Sequence, residues 1–272
     1  CIMASEGSWE ARIAILDSVP LTFGGLIGFQ VENAMAAAAA AWTLGVPFEM
    51  IRHALETFVN DPQKVPARFN VVQFRGSTIV IDYGHNSAAL VALCEAFDKM
   101  PHERRLIVYT AAGDRRDEDI VRQAELIANA FDEMVLYEDQ CRRGRADGEV
   151  ISLMRQGIAL GKRLQPSGIH ETRGEMIAIE MTLRRMNPGD LVLIQADQGA
   201  ATDHLIAQAI VFGLRAVAPV DSVRLGQLRN FLDPSLQIFM LHVIGRFVGL
   251  RDSCCSRRLL HLPSFSFDVR LF

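Results

Sequence analysis

The stretch Ile79-Val80-Ile81-Asp82-Tyr83-Gly84-His85-Asn86 decides how the rest of the chain is read. Its β-branched run suits a strand buried inside a sheet. The strand ends at once in a carboxylate, a phenol, a glycine, an imidazole and an amide. Ligands of open α/β sheets sit just beyond the carboxyl ends of the strands. These polar groups therefore stand where a ligand binds, and Gly84 lets backbone come close to it. An ordinary strand-to-helix turn explains part of the same pattern, with Asp82 or Asn86 capping the helix that follows. A cap needs one acceptor, however, and this turn also carries a histidine and a tyrosine.

Working outward, apolar patterning predicts strands over 70–74 and 78–82, joined by the hairpin turn Arg75-Gly76-Ser77. Downstream, strands over 105–109, 133–137 and 190–195, with a weak one near 168–170, alternate with helices over 88–99, 118–131, 149–160, 174–186 and 202–213. This rhythm implies βαβ units, a mostly parallel sheet and right-handed crossovers. The fold class expected is α/β. Upstream, residues 10–23 read as short strands ending at Pro20, and Gly24, Gly25 and Gly28 as a flexible lead-in. An alanine-rich helix is expected to open at Glu32-Asn33 and run to Leu44, followed by a second over 48–59. Two prolines among polar residues, 60–66, mark a domain boundary. The expected organisation is a first segment over 1–62, a Rossmann-like domain over 63–217 and an unassigned tail over 218–272. The tail has no βα rhythm. It reads as an added helical cap, an interaction arm, or sequence not shaped by the fold, such as a shifted reading frame.

With 272 residues, half of them hydrophobic, the chain can build one large or two modest domains. A net charge of −4 and a pI near 6.0 argue against a general nucleic-acid or anionic-membrane binder. The five cysteines form no CxxC and no Cys/His pair at zinc spacing. Few, irregular thiols suit a reducing cytosol, so a cytoplasmic location is expected. The first residues carry acidic side chains where a signal peptide has a basic and then apolar run. The apolar run over 238–250 is too short to span a bilayer, which needs roughly 20 residues. A start at Cys1 rather than Met suggests sequence further upstream.

Four segments carry chemistry. Glu32-Asn33 is expected at a helix N-terminus, where free N–H groups suit an anionic or polar ligand; Asn33 equally suits a cap. Arg68, where the linker enters the second domain, can grip a phosphate with paired hydrogen bonds or be a solvated charge. Asp82 can accept from a ribose diol, and His85 and Asn86 can bond a base edge or hold the turn. Asp114-Arg115-Arg116-Asp117 follows a strand on the same sheet edge, and its mixed charge suits a zwitterionic substrate or a solvated helix start. No GxxxxGK[ST] loop, GxSxG elbow or HExxH occurs in the sequence. The chain thus carries parts that could hold a nucleotide's sugar and base without a cradle for its phosphates.

Taken in order, the segments PLTFGGLIGFQVENAMAAAAAAWTLGVP (20–47), DPQKVPARFNVV (61–72), VIDYGHNSAAL (80–90), AAGDRRDEDI (111–120) and GDLVLIQADQ (189–198) resemble the Mur ligase superfamily. Two departures stand out. Ala67 replaces the usual glycine before Arg68, and Gly84 and Ser87 replace alanine and proline of a D-Y-A-H-N-P turn. The wording DYGHN with GDRRDEDI points to a branch that adds arginine to the side-chain carboxylate of aspartate in a growing polymer. The resemblance implies a C-terminal Rossmann-like domain preceded by the helical end of a P-loop ATPase domain. It further implies an ATP-dependent ligase that works through an acyl phosphate with Mg2+, and a homo-oligomer when intact. On the same basis Asn33 faces adenine, Arg68 the phosphates and Asp82 the ribose, with His85 and Asn86 in support. Asp114, Arg115, Arg116 and Asp117 lie near the incoming amino acid, and the P-loop and magnesium ligands lie upstream. A folylpolyglutamate-type or peptidoglycan ligase, and a non-catalytic Rossmann-like interaction module, remain as alternatives.

Overall fold

The computed structural model describes residues 1–6, 8–62 and 64–196. They divide into two compact units, the first ending at Val59 and the second beginning at Asn60. The expected helix over 202–213 and the tail over 218–272 lie outside the described residues.

In the first unit, strands β1 (Ile2–Glu6) and β2 (Trp9–Ala14) form an antiparallel pair. Two short 3-10 turns follow, Leu16–Ser18 and Pro20–Thr22, and then helices α1 (Gly28–Thr43) and α2 (Phe48–Thr57). Two sequence expectations change here. Pro20 opens a turn instead of ending a strand, because its fixed φ suits a first helical position. The glycines are not a loose lead-in. Gly24 and Gly25 take φ values of 69° and 86°, and the Thr22 carbonyl accepts from Gly25 and Ile27 at 3.1 Å each. That turn starts α1 at Gly28, one turn earlier than the Glu32-Asn33 signal implied. Ala34, Ala38 and Ala41 of α1 pack with Ile2, Ile13, Ile51 and Leu55 into one core. Phe48 stacks on Trp9 at 5.3 Å and meets Trp42 at 5.2 Å.

The second unit opens on the proline-bearing segment, which is tied down. The Asn60 amide donates to the carbonyls of Arg68 and Phe69, and Asn70 Nδ2 donates to the Val65 carbonyl at 3.1 Å. The unit then runs through β3 (Asn70–Phe74), β4 (Ser77–Asp82), α3 (Ser87–Lys99), β5 (Arg105–Tyr109) and α4 (Asp117–Ala130). It continues through β6 (Glu133–Glu138), α5 (Glu149–Ile158), β7 (Ile169–Arg173), α6 (Glu175–Arg185) and β8 (Leu191–Gln195). The hairpin turn is two residues, Arg75 and Gly76, at φ 50° and 81°, and Ser77 joins β4 opposite Phe74. Positive φ at both central positions matches the right-handed twist of the flanking strands.

The six strands lie in the order β3-β4-β8-β5-β6-β7. Only β3–β4 is antiparallel; every other pairing is parallel. This is the mostly parallel α/β sheet the patterning predicts. Side chains of a strand alternate between faces. Ile79, Ile81, Val192 and Ile194 join Ala178, Ile179 and Leu183 of α6 in one core layer. The alternate positions turn toward the opposite side, where the Tyr109 hydroxyl donates to Gln123 of α4 at 2.6 Å. Both faces are covered, so the strands read as continuous apolar runs.

Candidate functional site

Arg68, Asp82, Tyr83, His85 and Asn86 come together at the carboxyl end of β4. Asp82 closes the strand, and both its oxygens hold backbone: Oδ2 accepts from Phe69 N at 2.8 Å and Oδ1 from Gly84 N at 2.7 Å. Burial pushes its carboxyl up from 3.8 to about 6. The two amides and the charges of Arg68 and His85 pull the other way without offsetting the lost hydration. A carboxylate offers about four lone-pair sites, so the positions left after these two contacts can still accept from a ligand.

Tyr83 carries a stack on its ring. The Arg68 guanidinium lies 5.1 Å from the ring centroid, and the His85 ring lies 4.3 Å away, tilted by 42°. His85 is buried, and its Nδ1 meets the Tyr83 carbonyl. Among the described residues Arg68 forms no ion pair, so its charge is held in place mainly by the ring. Ala67, just before it, takes φ 53° and Phe69, just after it, 54°. That left-handed backbone is disfavoured for side chains other than glycine, and it turns Arg68 toward Tyr83. Asn86 acts as the cap of α3, its Oδ1 accepting from Ala89 N at 2.8 Å. Gly84 is needed here for space: a Cβ there would stand 3.0 Å from Asp82 Oδ1 and 3.1 Å from Leu93 Cδ1.

The second group follows β5. Asp114 pairs with Arg143 at 3.2 Å, and Arg116 grips Asp119 through two bonds of 2.9 Å. Asp117 accepts from Arg145 at 2.8 Å. Arg145 is the hub: it also donates to the carbonyls of Gly113 at 2.7 Å and Arg115 at 2.6 Å, and to Glu149 at 2.6 Å. Gly113 permits the loops to touch, since a Cβ there would lie 2.3 Å from the Arg142 carbonyl. The sequence reading passed over Arg142, Arg143 and Arg145. Their signal was legible: three arginines and two glycines just after a strand, on the edge where the other loops gather.

Asn33 belongs to the first unit. It lies inside α1, beyond the first turn, and its Nδ2 donates to Gln30 Oε1 at 3.1 Å. It neither caps the helix nor sits among its free N–H groups, so the helix-terminus reason for singling it out does not hold. Among the described residues, no helix is long and apolar enough to cross a membrane, and no three His, Cys, Asp or Glu side chains gather as metal ligands.

Residues 67–197 match the family model described as Mur ligase, glutamate ligase domain. The chain is 33% identical over 190 residues to a cyanophycin synthetase of Synechocystis sp., a match covering 70% of this chain and 21% of that protein. Over 189 residues it is 36% identical to a cyanophycin synthetase of Crocosphaera subtropica, with the same coverage of 70% and 21%. The chain therefore spans about a fifth of the length of these relatives (21%). Among solved structures, a pseudomurein peptide ligase type C from Methanothermus fervidus superposes with a TM-score of 0.54 at 20% identity, over 76% of this chain and 39% of that one. At that identity the likeness is one of fold.

Proposed function

We propose, for a chain that belongs to the Mur ligase superfamily through its glutamate ligase domain, that it forms the C-terminal part of an ATP-dependent ligase of the cyanophycin synthetase type. On this reading residues 1–62 close the ATPase domain, residues 63–217 are the C-terminal domain, and the P-loop belongs to a part of the enzyme outside this chain. The intact enzyme transfers the γ-phosphoryl group of ATP to an aspartate side-chain carboxylate of a growing polymer. The α-amine of arginine then attacks the acyl carbon, the C–O bond to phosphate breaks, and an amide, ADP and phosphate result. The stacked Arg68–Tyr83–His85 group beside Asp82 is the observation that carries this reading. It sets a cation able to make paired bonds to phosphate oxygens next to a carboxylate able to accept from a ribose.

In this assignment Arg68 neutralises charge on the phosphates and Asp82 orients the ribose. His85 and Asn86 hold the turn beneath the nucleotide, and Asn33 faces the adenine. The loop Asp114 to Asp117, braced by Arg145, positions the incoming amino acid. Magnesium supplies charge neutralisation in such transfers, but the described residues do not form a site for it, and no step here is routed through it. Arg68→Ala in the whole enzyme is expected to lower kcat/KM for ATP by about a hundredfold, the scale of losing one preorganised charge-stabilising group. Unchanged kinetics would remove Arg68 from the site. Replacing arginine by glutamate or diaminopimelate in the same assay separates this reading from a folylpolyglutamate or peptidoglycan ligase.

A further inference from the structure

We propose that Gln195 is a ligand-contacting residue whose carboxamide N–H donates to an anionic oxygen of a substrate, at the junction of the two loop groups. β8 lies between β4 and β5, and Gln195 is its last residue. On one side its register partner is Asp82, which starts the Tyr83–Asn86 turn. On the other, its Oε1 accepts from Thr110 N at 3.3 Å, where the Ala111–Asp117 loop begins. Strand alternation puts it on the same face as Asp82, because Val192 and Ile194 belong to the core layer against α6.

The Thr110 contact fixes which end of the carboxamide is oxygen, since a backbone N–H can only donate. Nε2 is thereby left as a two-proton donor. Gln195 is 1% exposed, and its Nε2 is buried without a hydrogen-bond partner. An unmet buried donor costs more than an ordinary hydrogen bond contributes, and native proteins hold few of them. Methionine, of similar length, would fill the same space without that cost. An amide kept here in spite of it is what a substrate acceptor requires, and such a trade of stability for binding is common at functional sites. Because Nε2 is covered, the acceptor reaches it as the flanking loops part. Two acceptors fit the place: a phosphoryl oxygen approaching from the Arg68–Asp82 side, or an amino-acid carboxylate approaching from the Arg145-braced loop.

This assignment rests on the ligase reading above, and one set of measurements separates the two. Calorimetric titration of the full chain with Mg-ADP, and separately with arginine, is run on the wild type, on Gln195→Met and on Gln195→Glu, which keeps an acceptor for Thr110. Both variants are expected to lose about tenfold or more in affinity for one probe, and which probe identifies the oxygen. The melting temperature of Gln195→Met should be equal to or above that of the wild type. A wild type that binds neither probe overturns the ligase reading for this chain. Binding by the wild type that both variants retain overturns the role of Gln195 alone. So does a Gln195→Met variant that melts well below the wild type, since the side chain is then serving the fold.

Discussion

At the scale of single residues, Asp82 shows how a local signal gains its meaning from burial. The sequence marks it as a carboxylate at a strand end; the structure encloses it and holds the proton to about pH 6. The unfolded chain releases that proton near 3.8. Between those values the folded state binds the extra proton, so stability contributed at this site falls as pH rises from about 4 to about 6 and then levels off. Asp82→Asn cannot titrate and should lack that fall. Urea midpoints of both proteins from pH 4 to 7 give the test; a constant difference between them would show that Asp82 does not carry the slope. Asn86 is the simpler neighbour. Its capping role was one of two readings open in the sequence, and its bond to Ala89 N settles that it caps. Asn33 stands apart, because its apparent place at a helix start depended on a boundary that Thr22 and two glycines set elsewhere.

At the scale of elements, the periods of the sequence carried most of the fold. Strands buried on both faces read as apolar runs, and helices as stripes with polar intervals, so their order was legible without any contact. The close approach of α4 and α5 was not. Gly157 reads in sequence as a weak point in a helix, yet a Cβ there would stand 2.1 Å from the Val121 carbonyl and 2.6 Å from Ala124 Cβ. Gly161, beyond the end of α5, meets Ala128 as closely, at 2.3 Å. Gly157→Ala is therefore expected to destabilise the protein by about 1–3 kcal/mol or more through overpacking, although alanine is the better helix former. Chemical denaturation is the measurement, and a stabilised variant would mean that α5 can shift away from α4 without cost.

At the scale of the whole domain, the sheet has two polar ends with different tasks. The carboxyl end gathers the candidate site. At the opposite end Glu133, 7% exposed, receives Arg104 at 3.3 Å, Arg185, and His170 at 3.3 Å. These come from the approach to β5, the end of α6 and the interior of β7. Arg104 also grips Asp190 just before β8, at 2.7 and 3.0 Å. The network joins elements far apart in the chain and leaves the buried carboxylates paired, as burial requires. Glu133→Ala leaves clustered cations without their counter-ion. It should cost about 1–3 kcal/mol, below the range for a fully buried pair because the arginines are partly exposed. A denaturation curve matching the wild type would make the network ornamental.

The sequence by itself determined the alternation of strands and helices, the β3–β4 hairpin, the mostly parallel sheet and the polar turn after β4. All of these follow from periodicity and turn chemistry within short windows, where each residue's preference is expressed by its neighbours. The tertiary structure alone decided that β8 inserts between β4 and β5. It alone braced the Asp114–Asp117 loop with Arg143 and Arg145, stacked Arg68 on Tyr83, and set Gln195 between the two loops with a donor unspent. Those are pairings across long stretches of chain, chosen by burial and hydrogen-bond satisfaction of the assembled sheet, and no local pattern encodes which distant partner wins.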